Sequence, residues 1–164
     1  MRNLGQREGV DTNEHFPPDL LVTPNFKLWE FGQPAGYGLD PEPYPLALVD
    51  SCLRPLCQDV LEIIRAEVGG PLSIISAGGW RSREYQRRHR AARGPGVASF
   101  SQHSEGRAAD IRARGLNGEE LHDLVLRLWT AGKLPALGGL GLYRGERFTH
   151  VDIRPHKAGE LDRW

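Results

Sequence analysis

Apolar residues recur with a helical period between residues 46 and 68. They stand at positions 46, 49, 53, 56, 60, 64 and 68, which is the spacing of one face of an amphipathic helix. Pro55 lies inside this stretch. Because proline has no amide hydrogen and its ring clashes with the preceding turn, we expect the helix to be kinked or split in two there. The sequence GGP at 69–71 is expected to end it.

Two further helices are predicted from their capping and stop residues. In SREYQRRHRAARG (82–94), Ser82 is the expected N-cap, and Gly94 followed by a proline is the expected stop. In NGEELHDLVLRLWTAG (117–132), Asn117 is the expected cap and Glu120 completes a capping box.

Strand-like runs lie between and after these helices. LSIISA (72–77) and RAADIRA (107–113) are predicted to be short strands, and residues 138–155 contain two strand-like runs around an Arg144–Gly145 turn, which predicts a hairpin. The elements follow no regular βαβ order. We therefore predict an α+β fold with a small, largely antiparallel sheet and flanking helices. We expect residues 1–16 to be a flexible N-terminus and residues 17–164 to form a single domain.

Composition narrows the function classes. The 164 residues are 39% hydrophobic and 26% charged, as in a globular protein, and 21 basic residues balance 21 acidic ones. A general affinity for nucleic acid or anionic lipid therefore has no electrostatic support. No apolar run approaches the length of a membrane span. The first 16 residues lack the apolar core of a secretory signal, so we expect a chain that works inside the cell, leaves it by another route, or has lost a leader.

His103 and Asp110 are the first candidate functional pair. On one helix, residues seven apart lie about 10 Å apart along the axis, too far to share an ion bonded at about 2 Å. If instead the chain turns at Gly106 and continues as a strand, the two side chains converge. Gly106 permits the turn, and Ala108 and Ala109 keep side-chain bulk away.

His150 is the natural third member of this group, because it alone among the six histidines lies in a strand-like run. Two histidine nitrogens and one carboxylate oxygen leave a tetrahedral zinc ion one position for water, which is the mark of a catalytic site. Each of the three residues taken alone is more often an ordinary one. The hypothesis rests on their combination.

The same residues carry a family resemblance. SQHSEGRAAD (101–110) resembles the Ser-x-His-x-x-Gly-x-Ala-x-Asp signature of the D-Ala-D-Ala metallopeptidases, the zinc carboxypeptidases and endopeptidases of bacterial peptidoglycan that share a fold with hedgehog. GGWRSREYQ (78–86) is similar to their Ser-Gly-Tyr-Arg-Ser element, and TPNFKLWEF (23–31) to a short N-terminal element of one branch. Residues 138–155 resemble their closing strands, which end in His-x-Asp. The resemblance extends from about residue 24 to about residue 155.

The resemblance implies a zinc site and a substrate. His103, Asp110 and His150 would bind one zinc ion, and Arg81 would hold a carboxylate or carbonyl of the substrate with its planar guanidinium. Ser101 would stabilise the loop or touch the substrate. The other arginines of the second helix, among them Arg93, are interpreted as a solvated face. The implied partner is a peptidoglycan peptide, the fold hedgehog-like, and the protein a monomer.

The general base is where the chain departs from the family. The positions at which many relatives carry a carboxylate or a second histidine hold Arg147 and Phe148 here. Asp152 lies on the same strand face as His150, about 7 Å along the strand, and Glu146 lies about 13 Å away. We predict Asp152 as the base, with Glu146 second. Asp152 is equally suited to orient a ligand histidine.

Three functions remain open at this point. The first is a zinc D,D-carboxypeptidase or endopeptidase that acts on the cell wall, in the periplasm, outside the cell or as a phage lysis enzyme. The second is a non-catalytic wall-binding or structural module that keeps the fold and the metal. The third is a cytosolic peptidase for a small D-amino-acid dipeptide, which usually carries a Glu-x-x-His absent here.

Overall fold

The computed structural model describes residues 19–164, so the predicted flexible segment 1–16 lies outside the described residues. The chain enters the fold through two short antiparallel strands, β1 (Leu21–Thr23) and β2 (Phe26–Lys27), followed by a 3-10 turn at Leu28–Phe31. Phe26 and Phe31 are fully buried, with ring centroids 6.2 Å apart. These aromatic side chains fix the proline-rich segment to the core.

Residues 46–68 form one helical run of changing pitch. It begins as a 3-10 turn and contains α1 (Arg54–Leu56) and α2 (Glu62–Val68), with π-helical segments at Val49–Leu53 and Cys57–Leu61. The run ends at Gly69, which has φ +70°, as predicted. Its apolar face is fully buried from Leu53 to Ile64, whereas Leu46 at its start is exposed.

Pro55 does not split this helix. The residue lies in α1, and the backbone stays helical on both sides, with a π-helical segment before and another after it. A π turn is wider than an α turn, and a wider turn gives the proline ring room against the preceding carbonyl group. The disturbance therefore appears as a change of pitch within one continuous run.

The two other helices begin and end where their caps predict. In α3 (Arg83–Arg93), Ser82 Oγ accepts a hydrogen bond from the Tyr85 amide at 3.2 Å. In α4 (Gly118–Thr130), Asn117 and Glu120 form the reciprocal capping box, with both hydrogen bonds at 2.8 Å. No helix within residues 19–164 is long and apolar enough to cross a membrane.

A five-stranded sheet lies at the centre of the fold and confirms the predicted α+β class. Its pairings are antiparallel except for the last, which is parallel. The strands in spatial order are β3 (Leu72–Ile74), β4 (Ala108–Ala113), β6 (Thr149–Asp152), β5 (Gly139–Leu142) and β7 (Asp162–Arg163). Strands β5 and β6 are the predicted hairpin, whereas β7 has no counterpart in the sequence prediction. The register that matters for the site pairs Asp110 directly with His150.

Candidate metal centre and cleft

A tight turn brings His103 to the sheet. Gly106 has φ +72°, a conformation that glycine adopts without strain, and its amide donates to the His103 carbonyl at 3.2 Å. The Gly106 carbonyl accepts a hydrogen bond of 2.7 Å from the Tyr44 hydroxyl, so a side chain at position 106 would collide with Tyr44. Strand β4 starts two residues later. The loop-to-strand turn that the sequence predicts is therefore present.

His103, Asp110 and His150, which we call the His–Asp–His cluster, meet beneath the surface. Asp110 Oδ1 lies 3.3 Å from His103 Nε2 and 2.9 Å from His150 Nδ1, and one ligand atom from each residue falls within 4.8 Å of the other two. Ligands bonded at about 2.0–2.1 Å to a tetrahedral ion stand about 3.3 Å from one another. The two separations from Asp110 Oδ1 are close to that value. The three residues are 3–4% exposed.

Each member of the cluster is held through its other polar atom. His103 Nδ1 donates a hydrogen bond of 2.7 Å to the Gly79 carbonyl. His150 Nε2 donates to Asp152 Oδ2 at 2.9 Å, and Asp110 Oδ2 accepts from Arg81 Nη2 at 2.8 Å. Outer hydrogen bonds of this kind set the tautomer and orientation of metal ligands in proteins.

These outer bonds decide which atoms the cluster presents. A carbonyl oxygen can only accept, so His103 carries its proton on Nδ1 and its Nε2 offers a lone pair. By the same reasoning, donation to the Asp152 carboxylate leaves a lone pair on Nδ1 of neutral His150. Three acceptor atoms then converge in a buried space, and their mutual repulsion is relieved by a cation or a proton. The donor set of two imidazoles and one carboxylate suits zinc.

The pKa values of Asp110 and His150 show the same demand for positive charge, whereas that of His103 does not. Burial raises the pKa of Asp110, but the charges and hydrogen bonds of the two histidines outweigh it and hold that pKa well below its usual range. Burial lowers the pKa of His103. Burial also lowers the pKa of His150, but the hydrogen bonds to Asp110 and Asp152 outweigh that effect, so the pKa of His150 is raised above its usual value.

Arg81 forms hydrogen bonds to three groups of the protein itself. Its Nη2 donates to Asp110, its Nε donates to the Ala77 carbonyl at 2.6 Å, and its Nη1 lies 3.4 Å from Gln86 Oε1. The side chain is 12% exposed. Three of its five N–H groups are thus bonded within the protein, and Arg81 still lines the cleft beside Asp110.

Asp152 is buried next to His150 and accepts a hydrogen bond from it. It is fully buried and also accepts hydrogen bonds from the Arg154 backbone and guanidinium groups, two of them at 2.9 and 2.7 Å. Gly139, opposite it on β5, leaves the space that the carboxylate fills. Burial raises the pKa of Asp152, but the hydrogen bonds from His150 and Arg154 outweigh that effect and lower it. This placement matches the orienting alternative of the sequence interpretation.

A cleft of about 740 Å³ opens over the cluster. Of the carboxylates considered as bases, Glu146 lines this cleft and is exposed, whereas Asp152 does not line it. Ser101 also lines the cleft, and its Oγ accepts a hydrogen bond of 3.3 Å from the His103 amide. The structure thus brings Ser101 into contact with both the loop and the cleft.

Trp164 and Arg154 are cleft residues that the sequence interpretation did not include. The Trp164 ring lies 5.1 Å from the His150 ring, and the Arg154 guanidinium lies 4.8 Å over the same indole. Gly141 makes room for it, because a Cβ there would lie 2.8 Å from Trp164 Nε1. Nothing in the local sequence around Trp164 indicates this packing, which depends on β7 joining the sheet.

Comparison with known proteins agrees with this geometry. The family model described as Peptidase M15 matches residues 37–152, which include the whole His–Asp–His cluster. Searches of curated proteins and of solved structures found no match. The matched span covers more than half of the chain. The chain therefore belongs to the peptidase M15 family, whose members are metallopeptidases.

Proposed function

We propose that the protein is a zinc-dependent peptidase that hydrolyses an amide bond in peptidoglycan stem peptides or their cross-links. The observation that carries this proposal is the convergence of three buried acceptor atoms, each fixed by an outer hydrogen bond, at the floor of an open cleft. A bound zinc ion supplies Lewis acidity and lowers the pKa of water to about 7. The residues around it supply orientation and proton transfer.

Two charged residues act in this proposal as positioning groups. Arg81 holds the second oxygen of Asp110 and so leaves Oδ1 directed at the ion site. Asp152 holds the Nε2 proton of His150 and so leaves Nδ1 available as a ligand. Asp152 is fully buried and does not line the cleft, whereas Arg81 lines it and keeps N–H groups with which to bind a carboxylate or carbonyl of the peptide.

Glu146 is the proposed general base and acid. It is the exposed carboxylate among the residues that line the cleft, and it lies in the loop that connects β5 to β6, the strand of His150. A carboxylate in this position takes a proton from the attacking water and returns it to the leaving amine. Ser101 completes the cleft wall next to His103.

The cell wall is the proposed place of action, in the periplasm, outside the cell or after delivery by a phage. This part of the proposal is supported by the family membership and by the signature in residues 101–110. The proposed acting form is a monomer whose single domain, residues 17–164, binds one zinc ion.

The test is hydrolysis of purified peptidoglycan with and without a chelator. New amines and released peptides are followed by mass spectrometry, and zinc is added back after chelation. We expect release to stop with the chelator and to return with zinc. His103→Ala should lose both bound zinc and release, whereas His156→Ala, a histidine near the C-terminal end, should keep both. Zinc bound by the wild type without any cleavage would contradict the proposal and indicate a non-catalytic module.

A further inference from the structure

Two arginines that line the cleft, Arg81 and Arg154, form ion pairs with carboxylates of the protein. The guanidinium of Arg81 donates hydrogen bonds to Asp110, to the Ala77 carbonyl and to Gln86. Arg154, a second arginine of the cleft, is bonded to Asp152 and, at 2.8 Å, to Asp162. Both cations are thus neutralised by carboxylates of the protein. A third arginine, Arg93, also lines the cleft.

Arg93 differs from the other two in having a free guanidinium. It is exposed in the last turn of α3, and among residues 19–164 no side-chain hydrogen bond or ion pair involves it. The sequence interpretation placed it on a solvated helix face. Arg93 is indeed exposed, and the structure adds that residues 85, 89 and 93, spaced by four along the helix, share the face that lines the cleft.

A rigid aromatic surface lies on the same helix face as Arg93. The Tyr85 and His89 rings are stacked with centroids 6.5 Å apart, and Tyr37 lies edge-on to both. The Tyr37 hydroxyl is 2.8 Å from His89 Nδ1. We call Tyr37, Tyr85, His89 and Arg93 the α3 wall.

Tyr37 is held in this wall in a strained conformation. Its φ is +54°, which is uncommon for a residue with a side chain, and Arg88 fixes its carbonyl with a hydrogen bond of 2.8 Å. Strain of this kind persists only where the surroundings enforce it, and it occurs mainly at functional sites. The ring of Tyr37 is therefore part of a preformed surface of the cleft.

We propose that the α3 wall is a subsite for a carboxylate of the peptide substrate, with Arg93 as its cation. The proposal rests on the proposed peptidase function and adds to it the part of the substrate that is recognised. Arginine pairs with a carboxylate through two parallel hydrogen bonds, and the ring surface beside it excludes water from one side of that pair. The unpaired carboxylate of the cleft, Glu146, is on the hairpin and not on the α3 wall.

The test compares peptides that differ in one carboxylate. The first pair is Nα,Nε-diacetyl-L-Lys-D-Ala-D-Ala as the free acid and as the C-terminal amide. The second pair is acetyl-L-Ala-D-Glu α-amide, whose side-chain carboxylate is free, and acetyl-L-Ala-D-Gln α-amide, in which that group is an amide. Binding is measured by calorimetry on chelator-treated protein, so that no carboxylate binds through a metal ion. Cleavage is measured on the zinc-loaded enzyme.

We expect at least one pair to show about tenfold tighter binding of the carboxylate form, and Arg93→Ala to abolish that difference. Arg93→Lys should keep part of it. Arg90→Ala, an exposed arginine of the same helix outside the cleft, should change nothing. On the zinc-loaded enzyme Arg93→Ala should raise KM and leave kcat nearly unchanged.

The two proposals fail in different ways. Equal binding of both members in each pair, or a carboxylate preference that survives Arg93→Ala, would overturn the subsite even if the enzyme cleaves peptides. A preference that depends on Arg93 without any cleavage would support the subsite and overturn the proposed peptidase.

Discussion

His103 carries its proton on Nδ1 because that atom faces the carbonyl oxygen of Gly79, which can only accept a hydrogen bond. The same logic applies to His150, whose Nε2 faces the carboxylate of Asp152. Two histidines from different parts of the chain thus present opposite ring nitrogens to one oxygen of Asp110. The outer partners, as much as the cluster itself, define the proposed metal site.

Asp152→Asn tests the orienting role of that carboxylate. An amide can donate to His150 Nε2 and so favour the tautomer with its proton on Nδ1, where the ion would bind. We expect zinc affinity to fall about 10–100-fold, measured by competition with a chromophoric chelator. The control is Asp162→Asn, the other carboxylate bonded to Arg154. Unchanged zinc affinity with lost hydrolysis would instead make Asp152 the base.

Glu146→Gln tests the proposed base. We expect kcat to fall about 10²–10⁴-fold, with zinc content and the far-UV spectrum unchanged, because the carboxylate transfers protons and binds no ion. Glu119→Gln provides the matched control, since Glu119 is an exposed glutamate of α4 outside the cleft. A variant that retains wild-type kcat would rule Glu146 out.

Strand β7 is the element that places Trp164 against the proposed site. It pairs in parallel with β5, and the Leu142 amide donates a hydrogen bond of 2.8 Å to the Trp164 carbonyl. The indole ring then lies 5.1 Å from the His150 ring, and both residues line the cleft. An ion held by the cluster would lie close to this one of the four tryptophans.

Trp164→Phe is expected to remove most of the tryptophan quenching caused by Co²⁺. Paramagnetic, absorbing Co²⁺ substitutes for zinc in sites with the same ligands and quenches a nearby indole. Fluorescence titration measures the effect. Trp29→Phe, which removes an exposed tryptophan outside the cleft, should leave the quenching intact. The reverse pattern would show that the ion binds elsewhere.

Glu62 fastens the β1–β2 hairpin to the long helical run. Its carboxylate accepts hydrogen bonds from Thr23 Oγ1 at 2.7 Å and from the amide and side chain of Asn25 at 3.1 and 2.8 Å. Burial raises the pKa of Glu62, but these hydrogen bonds outweigh that effect and lower it. A lowered folded-state pKa means that the ionised carboxylate stabilises the fold above its ordinary pKa, and that this stabilisation is lost as the pH falls.

Glu62→Gln should therefore lower Tm by about 2–4 °C at pH 7. The difference from the wild type should shrink as the pH falls through the lowered pKa, because both proteins then carry a neutral group. Thermal unfolding followed by circular dichroism at several pH values measures it. Glu67→Gln, on the same helix but exposed, is the control. A difference independent of pH would show that the charge of Glu62 does not matter.

At the scale of the whole molecule, the sequence predicted the features that depend on residues close together in the chain, such as helix caps and turns. Ser82 and Asn117 cap the starts of their helices through hydrogen bonds within three residues, and the turn at Gly106 depends on one glycine. His150 is predicted because it lies in a strand-like run, whereas its place opposite Asp110 comes from the long-range pairing of β4 with β6. These features made the fold class and the three candidate ligands accessible from the sequence.

The rest depends on contacts between distant residues. The hydrogen bond from Arg81 to Asp110 joins residues 29 positions apart, and the sequence around Arg81 does not indicate that its guanidinium pairs with that carboxylate. Asp152 reaches the far nitrogen of His150 because of side-chain rotamers on β6, which strand periodicity does not specify. Strand β7 has two residues and no pattern of its own, so its place in the sheet and the position of Trp164 follow only from the assembled fold.

The central claim is that the His–Asp–His cluster holds one zinc ion, and the most direct measurement is an anomalous difference map at the zinc absorption edge from crystals of the zinc-loaded protein. We expect one strong peak about 2.0–2.2 Å from His103 Nε2, Asp110 Oδ1 and His150 Nδ1. A zinc peak bonded to other residues, with none at the cluster, would contradict the account.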